Sequence, residues 1–210
     1  ALDLGTNNCR LLVARATHEG FRVIDAFSRI IRLGEGITSS GRIGDPAIGR
    51  AIEVLRICRD KMRNRGVTRA RLIATEACRL AENGADFLEQ VKSEVGIQLE
   101  IVDRETEALL AATGCTPLID PAAEGAILFD IGGGSSEIAH LGRSRPCRRG
   151  PPEPEMRGWV SLPVGVVTLA ERHGGIDVTR DSFEAMVDEV SHHMAGFARE
   201  HSGNDSCAVH

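Results

Sequence analysis

Apolar residues open the chain in two short runs separated by a polar turn. Residues 1–4 form the first run, residues 5–8 read GTNN, and residues 9–16 form the second run. Two apolar runs around a tight turn rich in Gly and Asn predict a β-hairpin. A third run at 21–32, with a glycine shortly before and after it, extends the prediction to three consecutive strands.

Helical periodicity begins at Asp45. Asp45 can cap a helix, Pro46 suits its first position, and apolar residues then recur at helical spacing until Gly66. The later signals alternate, in the order strand 71–75, helix 84–95, strand 98–102 and helix 103–114, with Asp103 as a candidate cap. The predicted order is therefore β-β-β-α-β-α-β-α.

The opening pattern returns after Pro121. An apolar run at 125–130 ends in an Asp, three glycines follow, and residues 136–141 form a returning run. This repetition predicts an internal duplication with a boundary near 114–121. Residues 142–158, rich in Arg, Pro and Gly, are predicted as a loop, and a last helix is predicted to start at 179–182.

The element order favours an α/β protein made of two ribonuclease-H-like domains, the fold of the actin, sugar kinase and Hsp70 ATPase superfamily. The first would span residues 1–115 and the second residues 116–210, incomplete at its C-terminal side. We expect a chain extended past His210 to gain turnover and thermal stability. The sequence does not begin with Met, so we also expect that a few leading residues are missing from it. Element order by itself says little about chemistry.

Composition narrows the classes of function. Aromatic residues make up 3% of the chain, none of them Tyr, and the net charge is -5, which argues against a nucleic-acid binder. No apolar run reaches the ~18 residues of a membrane helix. Six cysteines occur without a C-x-x-C pair, so we expect reduced, mostly buried thiols in a cytoplasmic protein.

Two loops carry the strongest chemical signal: residues 3–7, DLGTN, and residues 130–137, DIGGGSSE. Each places a carboxylate at a strand end before a turn with exposed N–H groups, and such turns cradle anions. Glycine allows the backbone to approach phosphate closely, and Asp suits a Mg²⁺ ion that bridges phosphate oxygens. Two ordinary hairpin turns are the alternative, but their recurrence in both halves favours a phosphate site.

Five segments in order resemble elements of the exopolyphosphatase / guanosine-pentaphosphate phosphohydrolase family. They are DLGTNN at 3–8, RLGEG at 32–36, ATEACR at 74–79, DIGGGSSE at 130–137 and SLPVG at 161–165. The resemblance implies hydrolysis of the terminal phosphate of inorganic polyphosphate or guanosine pentaphosphate, with Mg²⁺ or Mn²⁺ assisting the attack of water. It also makes K⁺ a further candidate cation and a homodimer the expected assembly.

The resemblance assigns roles as well. The general base of the family is the Glu before Ala in an E-E-A-R element, and ETEAL at 105–109 makes Glu107 the match. Thr106 replaces the first Glu of that element and Leu109 replaces its Arg. Glu105 lies two residues before Glu107, so the alignment with the element stays open. From the residues alone, both acids would be solvated first-turn positions favoured by the helix dipole.

Further roles follow from the two loops and from ATEACR. Asp130 and Glu137 would join Glu107 in catalysis, and Asp3, Asp130 and Glu137 would hold the metal. The implied phosphate-binding residues are Gly5, Thr6, Asn7, Arg79, Gly132, Gly133, Gly134 and Ser135. Arg79 suits this task because its planar guanidinium can bind two phosphate oxygens at once. Arg10 is a weaker candidate for phosphate contact.

Two other functions stay open. A sugar- or acid-kinase-like ATPase of the same superfamily would share both phosphate loops. A regulator could bind guanosine pentaphosphate or tetraphosphate without turnover, although Glu107 with Asp130 and Glu137 argues against it. Phosphate release from several substrates, with and without Mg²⁺, separates the three.

Overall fold

The computed structural model describes residues 1–18, 20–120, 122–145, 153–175 and 177–201. Within these ranges the chain folds into two halves, each built on a β-sheet. The α/β class expected from the sequence is confirmed. The predicted element order of the first half is also confirmed, with two short helices added at 37–40 and 76–80.

A five-stranded sheet forms the first half, in the order β3-β2-β1-β4-β5. The strands are β1 (Leu2–Leu4), β2 (Asn8–Thr17), β3 (Gly20–Ile30), β4 (Leu72–Ala74) and β5 (Glu100–Ile101). The first three strands pair antiparallel, whereas β4 pairs in parallel with β1 and β5 pairs in parallel with β4. The parallel strands are joined by helical crossovers, as parallel pairing requires.

Five helices accompany this sheet. They are α1 (Ile37–Ser40), α2 (Asp45–Asn64), α3 (Glu76–Leu80), α4 (Gly84–Val95) and α5 (Arg104–Cys115). The apolar stripe of α2 includes Ala51, Leu55 and Cys58, all fully buried in the core. The N-cap of α2 is Gly44 and not Asp45 as expected, because Asp45 already lies in the first helical turn.

The second half repeats the strand–turn–strand opening. After a 3₁₀ helix (Thr116–Leu118) it contains β6 (Gly125–Ile131), β7 (Ser136–Arg145), β8 (Glu153–Leu162), α6 (Val166–Arg172) and α7 (Arg180–His201). The three strands form an antiparallel sheet in the order β6-β7-β8.

The loop predicted for 142–158 is wrong at both ends, since β7 continues to Arg145 and β8 begins at Glu153. In this hairpin Leu141 pairs with Met156 and Gly142 pairs with Glu155. Ladder pairing between distant residues overrides the turn-forming composition of the segment.

Helix α5 links the halves. Its buried Ala112 packs against Ala139 and Leu141 of the second sheet. The opposite face of that sheet, with Ile138 and Leu162, is covered by α7. The first turn of α5 follows directly on β5 of the first sheet, so residues in that turn lie where the two halves meet.

The predicted burial of cysteines holds for most of those described. Cys9, Cys58 and Cys78 are buried and free, and Cys115 is partly exposed and also free. Cys147 and Cys207 lie outside the described residues. Among the described helices, none combines the length and the apolar character of a membrane span.

Candidate active site

A cleft of about 170 Å³ lies where the two glycine-containing turns face each other. All predicted site residues except Arg79 line it: Asp3, Gly5, Thr6, Asn7, Glu107, Asp130, Gly132, Gly133, Gly134, Ser135 and Glu137. The fold thus gathers residues that lie up to 134 positions apart in the sequence, between Asp3 and Glu137. Their roles in binding and catalysis stay predictions.

The two turns are closed by equivalent backbone hydrogen bonds. The N–H of Gly5 donates to the carbonyl of Asn8 at 2.9 Å, and the N–H of Gly132 donates to the carbonyl of Ser135 at 2.9 Å. Each turn connects the first two strands of its half. This equivalence agrees with the duplication expected from the sequence.

Thr6 brings the turns into contact. It is buried, and a Cβ built at Gly133 would lie 3.1 Å from the Cβ atoms of both Thr6 and Asn7. On the other side of the turn, a Cβ at Gly165 would lie 2.5 Å from the carbonyl carbon of Gly133. Glycine at 165 is therefore required for this close approach of backbone segments, and a Cβ at 133 would crowd Thr6 and Asn7.

Charged residues occupy equivalent strand positions beside each turn. Asp3 of β1 pairs in register with Arg10 of β2, and Asp130 of β6 pairs with Glu137 of β7. One half therefore presents an acid beside a base, whereas the other presents two acids. Like charges on directly opposed strand positions repel each other, so the second pair favours a bound cation.

Burial disfavours the charged forms of two of these acids. The pKa of Glu137 is raised by burial, against hydrogen bonds from Ser161 and Ser135, and the charge of Asp130 raises it further. The Ser161 hydroxyl donates to Glu137 Oε1 at 2.8 Å. Burial also raises the pKa of Asp3, with Arg10 opposing and Asp130 adding to the shift. A cation in the cleft would relieve both penalties.

The donor set fits a Mg²⁺ ion held mainly by substrate and water. Among the described residues, no group of three His, Cys, Asp or Glu side chains is arranged to enclose a metal. Mg²⁺ characteristically uses one or two carboxylates, several waters and substrate phosphates. The opposed pair of Asp130 and Glu137 meets that requirement. Asp3 also lines the cleft, and its metal role stays a prediction.

Glu107 lies in the first turn of α5, on the wall of the cleft. The helix is capped by Asp103, whose carboxylate accepts a hydrogen bond from the Thr106 N–H at 2.7 Å, as predicted for Asp103. Burial raises the pKa of Glu107 to about 7; Arg79 opposes the shift, and the charges of Glu137 and Asp3 add to it. Glu105 is exposed and does not line the cleft, so of the two acids only Glu107 lies at the cleft. The role of Glu107 as general base stays a prediction.

Arg79 is the one predicted site residue that the structure places behind the cleft wall. Its guanidinium donates to Glu76, to the Val102 carbonyl and, at 3.0 Å through Nη2, to Glu107 Oε2. The side chain is 17% exposed. Direct phosphate binding by Arg79 stays a prediction, and its contacts link it to the general-base candidate.

Sequence reasoning missed several residues of the site. Thr75, Glu76 and Asn8 line the cleft, and Arg104 approaches it from α5. Glu76 is a buried carboxylate, 2% exposed, between Arg79 and Arg104. The position of Glu76 in ATEACR did not indicate a role in the site, because its second partner, Arg104, lies 28 residues further along the chain.

Comparison with known families identifies one match over most of the chain. The model of the Ppx/GppA phosphatase family matches residues 12–201. This range includes four of the five sequence segments named above, and the fifth, residues 3–8, lies before it.

Solved structures agree with this match. An exopolyphosphatase from Cytophaga hutchinsonii superimposes with a TM-score of 0.84 at 24% identity, over 95% of this chain and 61% of that one. A Ppx/GppA family member from Aquifex aeolicus gives a TM-score of 0.69 at 30% identity, over 95% and 60%. An exopolyphosphatase-like protein gives 0.81 at 28% identity, over 94% and 60%. The chain thus spans about three fifths of the length of these structures.

Proposed function

Because this chain belongs to the Ppx/GppA phosphatase family, we propose that it is a phosphoanhydride hydrolase. It releases the terminal phosphate of inorganic polyphosphate or guanosine pentaphosphate by attack of water. The similarity to a structure named as an exopolyphosphatase-like protein, at 28% identity, supports this reaction class.

One observation carries the proposal: two glycine-containing turns face each other across a cleft whose wall holds Glu107. Turns with free N–H groups suit a phosphate chain. A carboxylate with a pKa of about 7 suits the acceptance of a proton from water at neutral pH.

The proposed mechanism relies on positioning and electrostatics, as is usual in phosphoryl transfer. The terminal phosphoryl group lies between the two turns. The N–H groups of Gly5 and Gly132 already donate within the turns, so the N–H groups that follow them in each turn donate to the phosphoryl oxygens. Ionised Glu107 orients the attacking water and accepts its proton. Arg79 holds Glu107 in place through their hydrogen bond.

Asp130 and Glu137 would hold the divalent cation, Mg²⁺ or Mn²⁺, with water and phosphate oxygens completing its shell. When bound, the ion supplies positive charge that stabilises the negative charge of the phosphoryl oxygens. Removal of the ion by a chelator should therefore abolish turnover.

The test is phosphate release by the full-length protein from polyphosphate, guanosine pentaphosphate and ATP, each with and without Mg²⁺. Mg²⁺-dependent release from either of the first two supports the proposal. Transfer from ATP to an acceptor would favour the kinase-like alternative. Binding of guanosine pentaphosphate without release would favour the regulatory alternative.

Location and assembly are part of the same proposal. The four described cysteines are free, which agrees with the reducing cytoplasm. A homodimer and a K⁺ requirement rest on the family resemblance alone.

A further inference from the structure

We propose that Glu76 is a positioning residue for the hydrolysis, which anchors Arg79 and Arg104 and through Arg79 fixes Glu107 at the cleft. The inference rests on the proposed function and adds a residue that acts through the general base. Nothing in the sequence pattern of the loops assigns this role to it.

Burial of Glu76 requires explanation. Its side chain is 3% exposed, and a carboxylate removed from water is costly unless it is paired and hydrogen-bonded. Both oxygens are paired: Oε1 accepts from Arg104 Nη2 at 2.8 Å, and Oε2 accepts from Arg79 Nε at 2.9 Å. Burial alone would raise the pKa of Glu76, but the two arginines outweigh this effect and lower it. Glu76 is therefore a permanent anion at neutral pH.

The contacts of Arg79 connect this anion to Glu107. Besides Glu76, the guanidinium donates to the carbonyl of Val102, in the segment between β5 and α5. Its Nη2 contacts both Glu76 and Glu107. A guanidinium held at three acceptors has little freedom to rotate, so Arg79 presents Nη2 to Glu107 in a fixed direction.

Arg104 provides a second connection to the same helical turn. Arg104 and Glu107 are three residues apart in α5 and therefore share a helix face. The Nε of Arg104 is buried, and the described part of the chain offers it no acceptor. The hydrogen bond that Arg104 donates to Glu76 through Nη2 holds the first turn of α5 to α3.

Glu76→Gln is the informative substitution because the size and shape of the side chain are kept. An amide offers one oxygen in place of two, and its NH₂ group would face one of the two guanidinium groups. One arginine must then lose its partner. We expect kcat of the full-length protein for phosphate release to fall about 10-fold, because small displacements of a catalytic group are costly. KM should change less than about threefold, since the change does not remove a phosphate contact.

A double substitution separates action through Glu107 from any other effect. In a Glu107→Gln background, Glu76→Gln should cause no further loss of kcat, because the group that Glu76 positions is already inactive. Asp25→Asn is the matched control. Asp25 is also a carboxylate with two cationic partners, Lys61 and Arg65, but it does not line the cleft. This control should leave kcat unchanged.

The outcomes are distinct. If the losses of kcat in the two single variants multiply in the double variant, or if kcat is unchanged in Glu76→Gln, the positioning role is overturned. The proposed function stays intact in either case. A wild-type protein that releases no phosphate would overturn both. If Glu76→Gln does not fold, Glu76→Asp retains the charge and withdraws it by one methylene group. The same fall in kcat at nearly constant KM is then expected, and wild-type kcat would refute the proposal.

Discussion

Burial of the Glu107 carboxylate destabilises the folded protein and raises its pKa to a value that suits proton transfer. Its pKa of about 7 results from burial and from neighbouring carboxylates, partly opposed by Arg79. Because the ionised form is the proton acceptor, kcat/KM should fall as pH decreases below about 7 and level off above it. A pH–rate profile of wild type and of Glu105→Gln, whose site is exposed, should show the same acidic limb. A profile that is flat from pH 5 to 8 would exclude Glu107 as the base.

The same shift predicts a dependence of stability on pH. The folded protein holds the Glu107 proton more tightly than the unfolded chain, in which the pKa of this side chain is near 4.5. This contribution to stability is therefore present at low pH and is lost as pH rises from about 4.5 through about 7. Without divalent metal, Glu107→Gln should raise the Tm at pH 8 and change it little at pH 4.5. A Tm of Glu107→Gln that lies below the wild-type Tm at pH 8 would show that the carboxylate is not destabilised by burial.

A substitution at Asp130 tests its predicted role as a ligand of the divalent cation. An amide is a weaker ligand than a carboxylate for a hard cation, so Asp130→Asn should raise the Mg²⁺ concentration for half-maximal activity about 10-fold or more. Asp45→Asn, which removes an exposed acid of α2 away from the cleft, is the control. Equal Mg²⁺ titrations for the two variants would remove Asp130 from the metal shell.

At the scale of elements, the first turn of α5 is the part of the site that depends most on local structure. Asp103 caps the helix through the Thr106 N–H, and loss of such a cap costs about 1 kcal/mol. Asp103→Ala should lower the Tm and also kcat, because Arg104 and Glu107 follow directly. Asp103→Ser restores a capping oxygen and should recover both. If neither recovers, the cap does not position the turn.

Local signals predicted most of the elements that carry the site. The glycine turns, the helix start at Asp103 and the alternation of strands and helices follow from residue types that have few conformational choices. The hairpin of β7 and β8 did not follow, because its stability comes from pairing with residues eight or more positions away. Glu76 was missed for the same reason: its partnership with Arg104 exists only after α3 and α5 meet.

At the scale of the whole molecule, hydrogen bonds join the two halves at a second place. Glu171 of α6 accepts from the Gly36 N–H at 2.9 Å and from the Thr38 hydroxyl at 3.0 Å. Glu171→Ala should let the halves separate more readily, which would raise KM for polyphosphate several-fold and increase the radius of gyration measured by X-ray scattering. Glu184→Ala is the control, because its partner Arg180 lies in the same helix. Identical scattering and KM would show that this contact does not hold the cleft closed.

The proposed function requires that the cleft between the halves hydrolyses a phosphate chain with Glu107 as the proton acceptor. The most direct test is the rate of phosphate release from polyphosphate by Glu107→Gln, with Glu105→Gln as the control and substrate binding measured in parallel. We expect a loss of at least ~10²-fold for Glu107→Gln with nearly unchanged binding, and a wild-type rate for Glu105→Gln. A wild-type rate for Glu107→Gln would contradict it.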